Sequence, residues 1–520
     1  MLLHTFFGIN NQKISIPEFM KKNRLKIIIF CLILIHLIPI WIVTYFPSQD
    51  GPSHLYNAKI MKEYNNPDYK FNEYYDLNLE IFPNWFSHVF LAGLMYLFPP
   101  LIAEKLLISI YIILFPLSLF YLINAVNKGN TSLGILSFLF IYNYLFHMGF
   151  YNFVISIPLF FFVLGYWWKN KDSLRYHNII ILNILICVVF FCHLVSYLLA
   201  LISIFVLSSL YYRKKIKKTL LSFCYLTPSY IPFAIYVLSS DFLRSGKSTL
   251  GFWQIPQLII DFISMKPLVS YSKHQFIIAY ILSAFIVYLF FWTLFNEKIK
   301  LKGNIIQIKL DHRDYFLLIS MLTLLLYFIM PSSMGGGGFI TDRLFLFPFL
   351  IILPWFSVKQ SKIHKYIILA FVLILCIVNV VYVSYYYITL DRDMKEFVSK
   401  VDLIEKNKVI LPLPLDPYGK SYRIGIFFNA FGYYCLSNGG ISVGNYEAGT
   451  SYFPVRYKES FERPPLVTVL HAPRTLDIAK YASLPIDYVI IWGTDPGIEN
   501  AVGKYWTLIS STARLKVFRR

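Results

Sequence analysis

Charge is scarce in this chain. Asp, Glu, Lys and Arg make up 15% of its 520 residues against 57% hydrophobic residues, and the mean hydropathy is +0.57. Soluble domains carry roughly 25% charged residues, so the composition excludes that class and marks an integral membrane protein. Cysteine is scarcer still. Cys31, Cys187, Cys192, Cys224 and Cys376 fall in apolar stretches and Cys435 lies outside them, which excludes a disulfide framework. The glycine run at 335–338 lacks the Lys and Ser/Thr of a nucleotide P-loop. No small-residue cleavage site follows the first apolar segment, so it reads as a signal anchor and not a removable signal peptide. No 20–50-residue repeat is evident. No inverted pair of broken helices marks a transporter, and no regular polar stripe marks a channel.

What charge there is carries one sign. Lys and Arg number 48 against 28 Asp and Glu, a formal net charge of +20. In a soluble protein this excess would point to nucleic acid. Here the basic residues fall in short connections between apolar segments, where they act as positive-inside signals, and no nucleic-acid partner is expected. The clusters are Lys21-Lys22-Asn23-Arg24, Lys128, Lys169/Lys171/Arg175, Arg213-Lys214-Lys215 with Lys217-Lys218, Lys298/Lys300/Lys302 and Lys359/Lys362/Lys365. Placing all of them in the cytoplasm predicts about eleven transmembrane helices: 25–46, 101–125, 131–147, 152–168, 178–193, 194–212, 219–239, 276–296, 314–331, 344–359 and 366–388. The predicted organisation is a cytoplasmic tail (1–24), a transmembrane domain (25–388) with a long outer loop (47–100), and an extracytoplasmic α/β domain (389–520). Within that loop, 85–98 is apolar but ends in Pro99-Pro100, and reads as a helix lying on the outer interface. In the terminal domain, 409–413 and 488–492 read as strands, with helical stretches near 390–405 and 474–482.

Polar residues at the outer membrane level are the candidates for chemistry, because ionisable groups there are costly and tend to face a cavity. Asp50 follows the first span in Gln49-Asp50-Gly51-Pro52-Ser53-His54. Two readings are open: a cap for the helix that follows, or a general base whose pKa is raised by desolvation. His54 is the second member of this motif. His147, with Gly149 and Asn152, either stabilises a hairpin turn or faces the site, and His193 is either an interhelical hydrogen-bond partner or an acid/base. Arg343 either grips a phosphate or snorkels to lipid headgroups. Arg244 and Lys247, in the 240–275 loop, would add positive charge for an anionic lipid. A zinc set drawn from Asp50, His54, His147 and His193 lacks the close spacing of metal ligands, so no metal and no cofactor is expected. Glu447, Arg456, His471 and Arg474 are scattered polar residues of the outer domain.

The order of parts resembles the GT-C superfamily of polyprenyl-phosphate-dependent glycosyltransferases, which includes protein O-mannosyltransferases and lipid A aminoarabinose transferases. The resemblance rests on Gln49-Asp50-Gly51-Pro52-Ser53-His54-Leu55-Tyr56-Asn57-Ala58 and on the 83–100 segment leading into Leu101-Ile102-Ala103-Glu104-Lys105-Leu106. Gly149-Phe150-Tyr151-Asn152 and Thr341-Asp342-Arg343 look like outer-face turns of bacterial members. In that family a first-loop carboxylate is the catalytic base, which implies that role for Asp50. Many members carry two adjacent acidic residues there. Gln49 replaces one of them, which puts a metal requirement in doubt and leaves His54 to contact the donor phosphate or to tune Asp50.

The resemblance implies an inverting hexosyl- or pentosyltransferase of the bacterial inner membrane. Its partners would be a polyprenyl-phosphate-linked sugar, membrane lipids, and a glycan, lipid or protein acceptor. Arg343 would bind the donor phosphate, with His147, His193, Asn152, Arg244 and Lys247 lining the donor site. A lipid-linked sugar or polysaccharide flippase is the non-enzymatic alternative, and a polysaccharide polymerase or ligase the nearest enzymatic one.

Overall fold

The computed structural model describes residues 16–520 except 174, 214, 240–250, 253, 303–304, 335–336, 359–361 and 451. Arg244 and Lys247 therefore lie outside the described residues, as do Lys214, Lys359 and the first two glycines of the 335–338 run.

Most of the chain is an α-helical bundle. Among the described residues, six helices are long and apolar enough to cross a membrane: Asn23–Trp41, Pro100–Val126, Tyr151–Asn170, Leu194–Tyr212, Gln275–Lys298 and Ile363–Leu403. A seventh is counted if Ile216–Cys224 and Thr227–Ser239, bent by 60° at their junction, form one span. Tyr176–Cys192 and Asp314–Ile329 are apolar but shorter.

Two of the expected crossings take other forms. Most of 131–147 is a buried 3-10 run, Lys128–Phe140, followed by the short helix Tyr144–His147. A Cβ on Gly134 would lie 2.5 Å from the Phe120 ring, so glycine lets this run pack tightly against Pro100–Val126. Segment 344–359 is helical only as Ile340–Ile351. Pro354 disfavours helix at the residue before it, and the freed backbone is caught from the neighbouring run. Asn127 Nδ2 donates to the carbonyls of Pro354 (3.0 Å) and Phe356 (3.1 Å), and the Val358 amide donates to Asn130 Oδ1 (3.0 Å). Non-helical backbone is tolerated at this depth only when its polar groups are satisfied by protein in this way.

The apolar segment 85–98 holds a nine-residue helix, Phe86–Leu94, about 14 Å long and too short to cross. It ends in the exposed trio Tyr96, Leu97 and Phe98.

The C-terminal quarter is built on a five-stranded mixed sheet in the order Ile441–Ser442, Val409–Pro414, Tyr488–Trp492, Leu515–Arg519, Thr507–Ser511. The first three strands are parallel and the last two antiparallel. Val409–Pro414 and Tyr488–Trp492 are buried along their whole length, as their unbroken apolar runs require. No linker separates this region from the bundle. Helix Lys362–Phe397 runs into it, and Phe397 packs against Phe427, Phe431, Tyr434 and Trp492 with ring centroids 5.0–5.5 Å apart.

The first long loop is shared between the two parts. Its helix Gly51–Glu63 is buried from Gly51 through Ala58 and lies between bundle and sheet region. Asn57 and Asn445 exchange amide hydrogen bonds of 3.0 and 2.8 Å. Strand Tyr75–Leu77 pairs antiparallel with Val455–Tyr457. The loop therefore brings its polar residues against those of the sheet region.

Candidate functional site

Asp50 is placed by backbone. The first long helix ends near Trp41, and its exit is held by Asp391, whose Oδ1 accepts from the amides of Thr44 (3.0 Å) and Tyr45 (2.8 Å). The chain then runs against the turn at 147–149: the Gln49 amide donates to the His147 carbonyl (3.1 Å) and the Asp50 amide to Met148 (3.0 Å). Gly149 closes this contact with φ +79°. A Cβ there would lie 2.6 Å from the Gly51 nitrogen, so no other residue fits.

The side chain of Asp50 does not cap the helix that begins beside it. Its Oδ1 instead accepts from Asn429 Nδ2 (2.9 Å) and Gln49 Nε2 (3.3 Å), and the Tyr446 hydroxyl donates to the same carboxylate. Burial, reinforced by the nearby Glu447, pushes its pKa from 3.8 up to about 7 against these hydrogen bonds. At neutral pH such a group is held between acid and base.

One turn along the helix, His54 meets His88 and Glu447. His54 Nδ1 is 3.1 Å from His88 Nε2 and 3.1 Å from Glu447 Oε1, and His88 Nε2 is 2.6 Å from Glu447 Oε2. Burial drives His54 down to about 4 and His88 down to about 3, and it raises Glu447 to about 7. Among the described residues, these three form the one group of His, Cys, Asp and Glu side chains close enough to share a metal ion.

Arg343 lies within electrostatic reach of Asp50, Tyr446 and Tyr452. Its guanidinium sits over the rings of Phe150 (4.9 Å) and Phe153 (5.8 Å), and Nη1 donates to the Gly338 carbonyl. Its buried Nε makes no hydrogen bond to the described residues.

Three further sequence candidates, His147, His193 and Asn152, make hydrogen bonds within the scaffold. Both ring nitrogens of His147 are engaged, Nδ1 with Ser270 Oγ and Nε2 with Tyr387 Oη, each at 2.8 Å. His193 caps helix Leu194–Tyr212, its Nδ1 accepting from the Val195 amide at 3.2 Å. Asn152 is a latch: Oδ1 accepts from the Ser87 amide (2.7 Å), and Nδ2 donates to the Asn84 carbonyl (2.9 Å). It thereby fixes the start of the helix that carries His88. The zinc set weighed from sequence, Asp50 with His54, His147 and His193, is thus not assembled, because His147 and His193 are spent elsewhere.

Sequence reasoning placed Glu447 among scattered polar residues and His88 on an interfacial helix, and it missed Tyr446 and Asn429. His88 and Glu447 are 359 positions apart, so no local spacing joins them. Another buried cluster was also missed: Tyr151 Oη donates to Glu104 Oε1 at 2.5 Å and lies 3.2 Å from Ser48 Oγ. It packs directly on Gly51, where a Cβ would come within 2.4 Å of both Glu104 and Tyr151.

No protein-family model matches the chain, and no curated protein matches it.

Proposed function

We propose that the chain is a membrane glycosyltransferase of GT-C type, with Asp50 as its general base. The observation that carries this reading is the orientation of Asp50. A carboxylate at a helix start normally turns back to the free amides, whereas this one is buried facing Asn429 and Tyr446, with a pKa near 7 and Arg343 within electrostatic reach.

In the proposed step, the Asp50 carboxylate takes the proton of an acceptor hydroxyl. The hydroxyl oxygen bonds to the anomeric carbon from the face opposite the phosphate, and the carbon–oxygen bond to the polyprenyl phosphate breaks with its electron pair leaving on the phosphate. The configuration inverts. Arg343 stabilises the departing charge electrostatically, an interaction strengthened in a site from which water is largely excluded. A topology of eleven crossings, with loop 47–100 on the outer face of a bacterial inner membrane, would bring the donor in from the lipid. The exposed end of helix Phe86–Leu94 would then rest at the interface.

The test uses purified protein in detergent and a panel of radiolabelled polyprenyl-phosphate sugars with candidate acceptors. Donor binding by wild type and Asp50→Asn alike, with sugar release by wild type alone, supports the reading. Equal release by both removes Asp50 as base, and no binding by either removes the lipid-phosphate donor. The bent pair Ile216–Cys224 and Thr227–Ser239 favours a second reading, since broken spans line transporter pathways. In proteoliposomes a flippase would translocate the labelled lipid equally well as wild type and as the Asp50→Asn variant.

A further inference from the structure

His54, His88 and Glu447 make or break no bond in the proposed transfer step, yet they are only 3%, 0% and 0% exposed. Burying three ionisable groups together is costly unless something satisfies them. His54 faces the Gly149 backbone on its far side, and the far nitrogen of His88, Nδ1, has no hydrogen-bond partner among the described residues.

The ligand atoms of all three lie within 4.8 Å of one another, and Glu447 Oε1, buried 3.1 Å from His54 Nδ1, has no hydrogen-bond partner among the described residues, so an acceptor faces the cluster unsatisfied.

The geometry points to a cation: His54 Nδ1, His88 Nε2 and the Glu447 carboxylate form a binding site for one zinc-class divalent metal ion. Separations of 2.6–3.1 Å are short enough for one ion to be shared at the usual zinc–ligand distances of about 2.0–2.1 Å. Two imidazoles and one glutamate are the donor set of zinc sites that keep a coordination position open. The Gly149 backbone lies behind the His54 ring, an outer-shell contact that orients it. Asn152 is the positioning residue that holds the His88 helix in register. The inference stands apart from the transferase reading, because metal binding is read with no sugar donor present.

The experiment is elemental analysis of the full-length protein, purified in detergent without chelators. Wild type and the exposed-histidine control His177→Ala should carry about one zinc per chain, and His88→Ala and Glu447→Gln at least about tenfold less. Zinc retained equally by all four proteins overturns the site. The second measurement needs no variant: wild type is stripped with chelator and titrated with Co2+. Intense visible d–d bands that saturate at one equivalent and disappear on adding zinc are expected. A wild type that is metal-free as purified and develops no such bands also overturns the site, leaving a cluster bridged by protons.

Discussion

Asp50→Asn should make the protein more stable at neutral pH while abolishing transfer. The carboxyl has a pKa of 3.8 when exposed and about 7 in the folded protein, so between these values the folded state holds a proton that the unfolded state has released. Stability from this group therefore rises as pH falls from 8 towards 4 and is lost as pH rises through 7. A gap of roughly 3 pKa units corresponds to a penalty of about 4 kcal/mol at pH 7, shrinking to about 2 kcal/mol at pH 5. Asparagine cannot ionise, so it escapes the penalty, offset by the about 1 kcal/mol of any hydrogen bond to Asn429 or Tyr446 that it makes less well. Glu447, raised in the same direction, and His54 and His88, lowered and opposite in sign, also titrate in this range. The difference between wild-type and variant profiles removes their shared contribution. Thermal unfolding in detergent, followed by tryptophan fluorescence at pH 5 and pH 8, should show the variant's advantage growing with pH. A variant that melts below wild type at pH 8, or an advantage that does not change with pH, would refute the burial of an ionisable Asp50.

Gly149→Ala should destabilise by at least about 2 kcal/mol, since it combines a positive φ with a Cβ forced onto the Gly51 backbone; a melting temperature within a degree of wild type would contradict this. Asn152→Ala strips the Ser87 amide and Asn84 carbonyl of their partners, costing about 1–3 kcal/mol, and amide exchange near residues 84–88 should accelerate. Arg343→Ala should weaken binding of polyprenyl phosphate by about 1.5–3 kcal/mol, a factor of roughly 10–100 in Kd, whereas loss of a lipid-snorkelling arginine would leave that Kd unchanged. Transfer by wild type should rise about tenfold per pH unit below 7 and level off above it, as Asp50 deprotonates.

The parts of the fold visible in the sequence were those with local signatures. Unbroken apolar runs marked the long helices and the two central strands, and Pro99-Pro100 marked the end of the interfacial segment. The 3-10 run at 128–140 was not visible, because an apolar stretch has the same hydropathy whether it winds as α or 3-10; the glycine packed on Phe120 became apparent only with its neighbour in place. Asp50 stood out through its position after the first span. His147 and His193 stood out for the same reason, but their hydrogen bonds to Ser270, Tyr387 and the Val195 amide are tertiary and spend them on the scaffold. Glu447 was hidden for the converse reason: nothing in Tyr446-Glu447-Ala448 distinguishes a buried carboxylate from an exposed one until the Gly51–Glu63 helix packs against it.

The distance along the chain between His88 and Glu447 sets a timetable for synthesis. The two are separated by 359 residues, and at about 5–20 residues per second the ribosome needs roughly 20–70 s to cover that stretch. Throughout this interval the newborn membrane segment holds Asp50, His54 and His88 without the residues that surround them in the finished protein. Until Glu447 emerges the three side chains cannot meet, so the His54–His88–Glu447 cluster assembles only when the last quarter of the polypeptide docks.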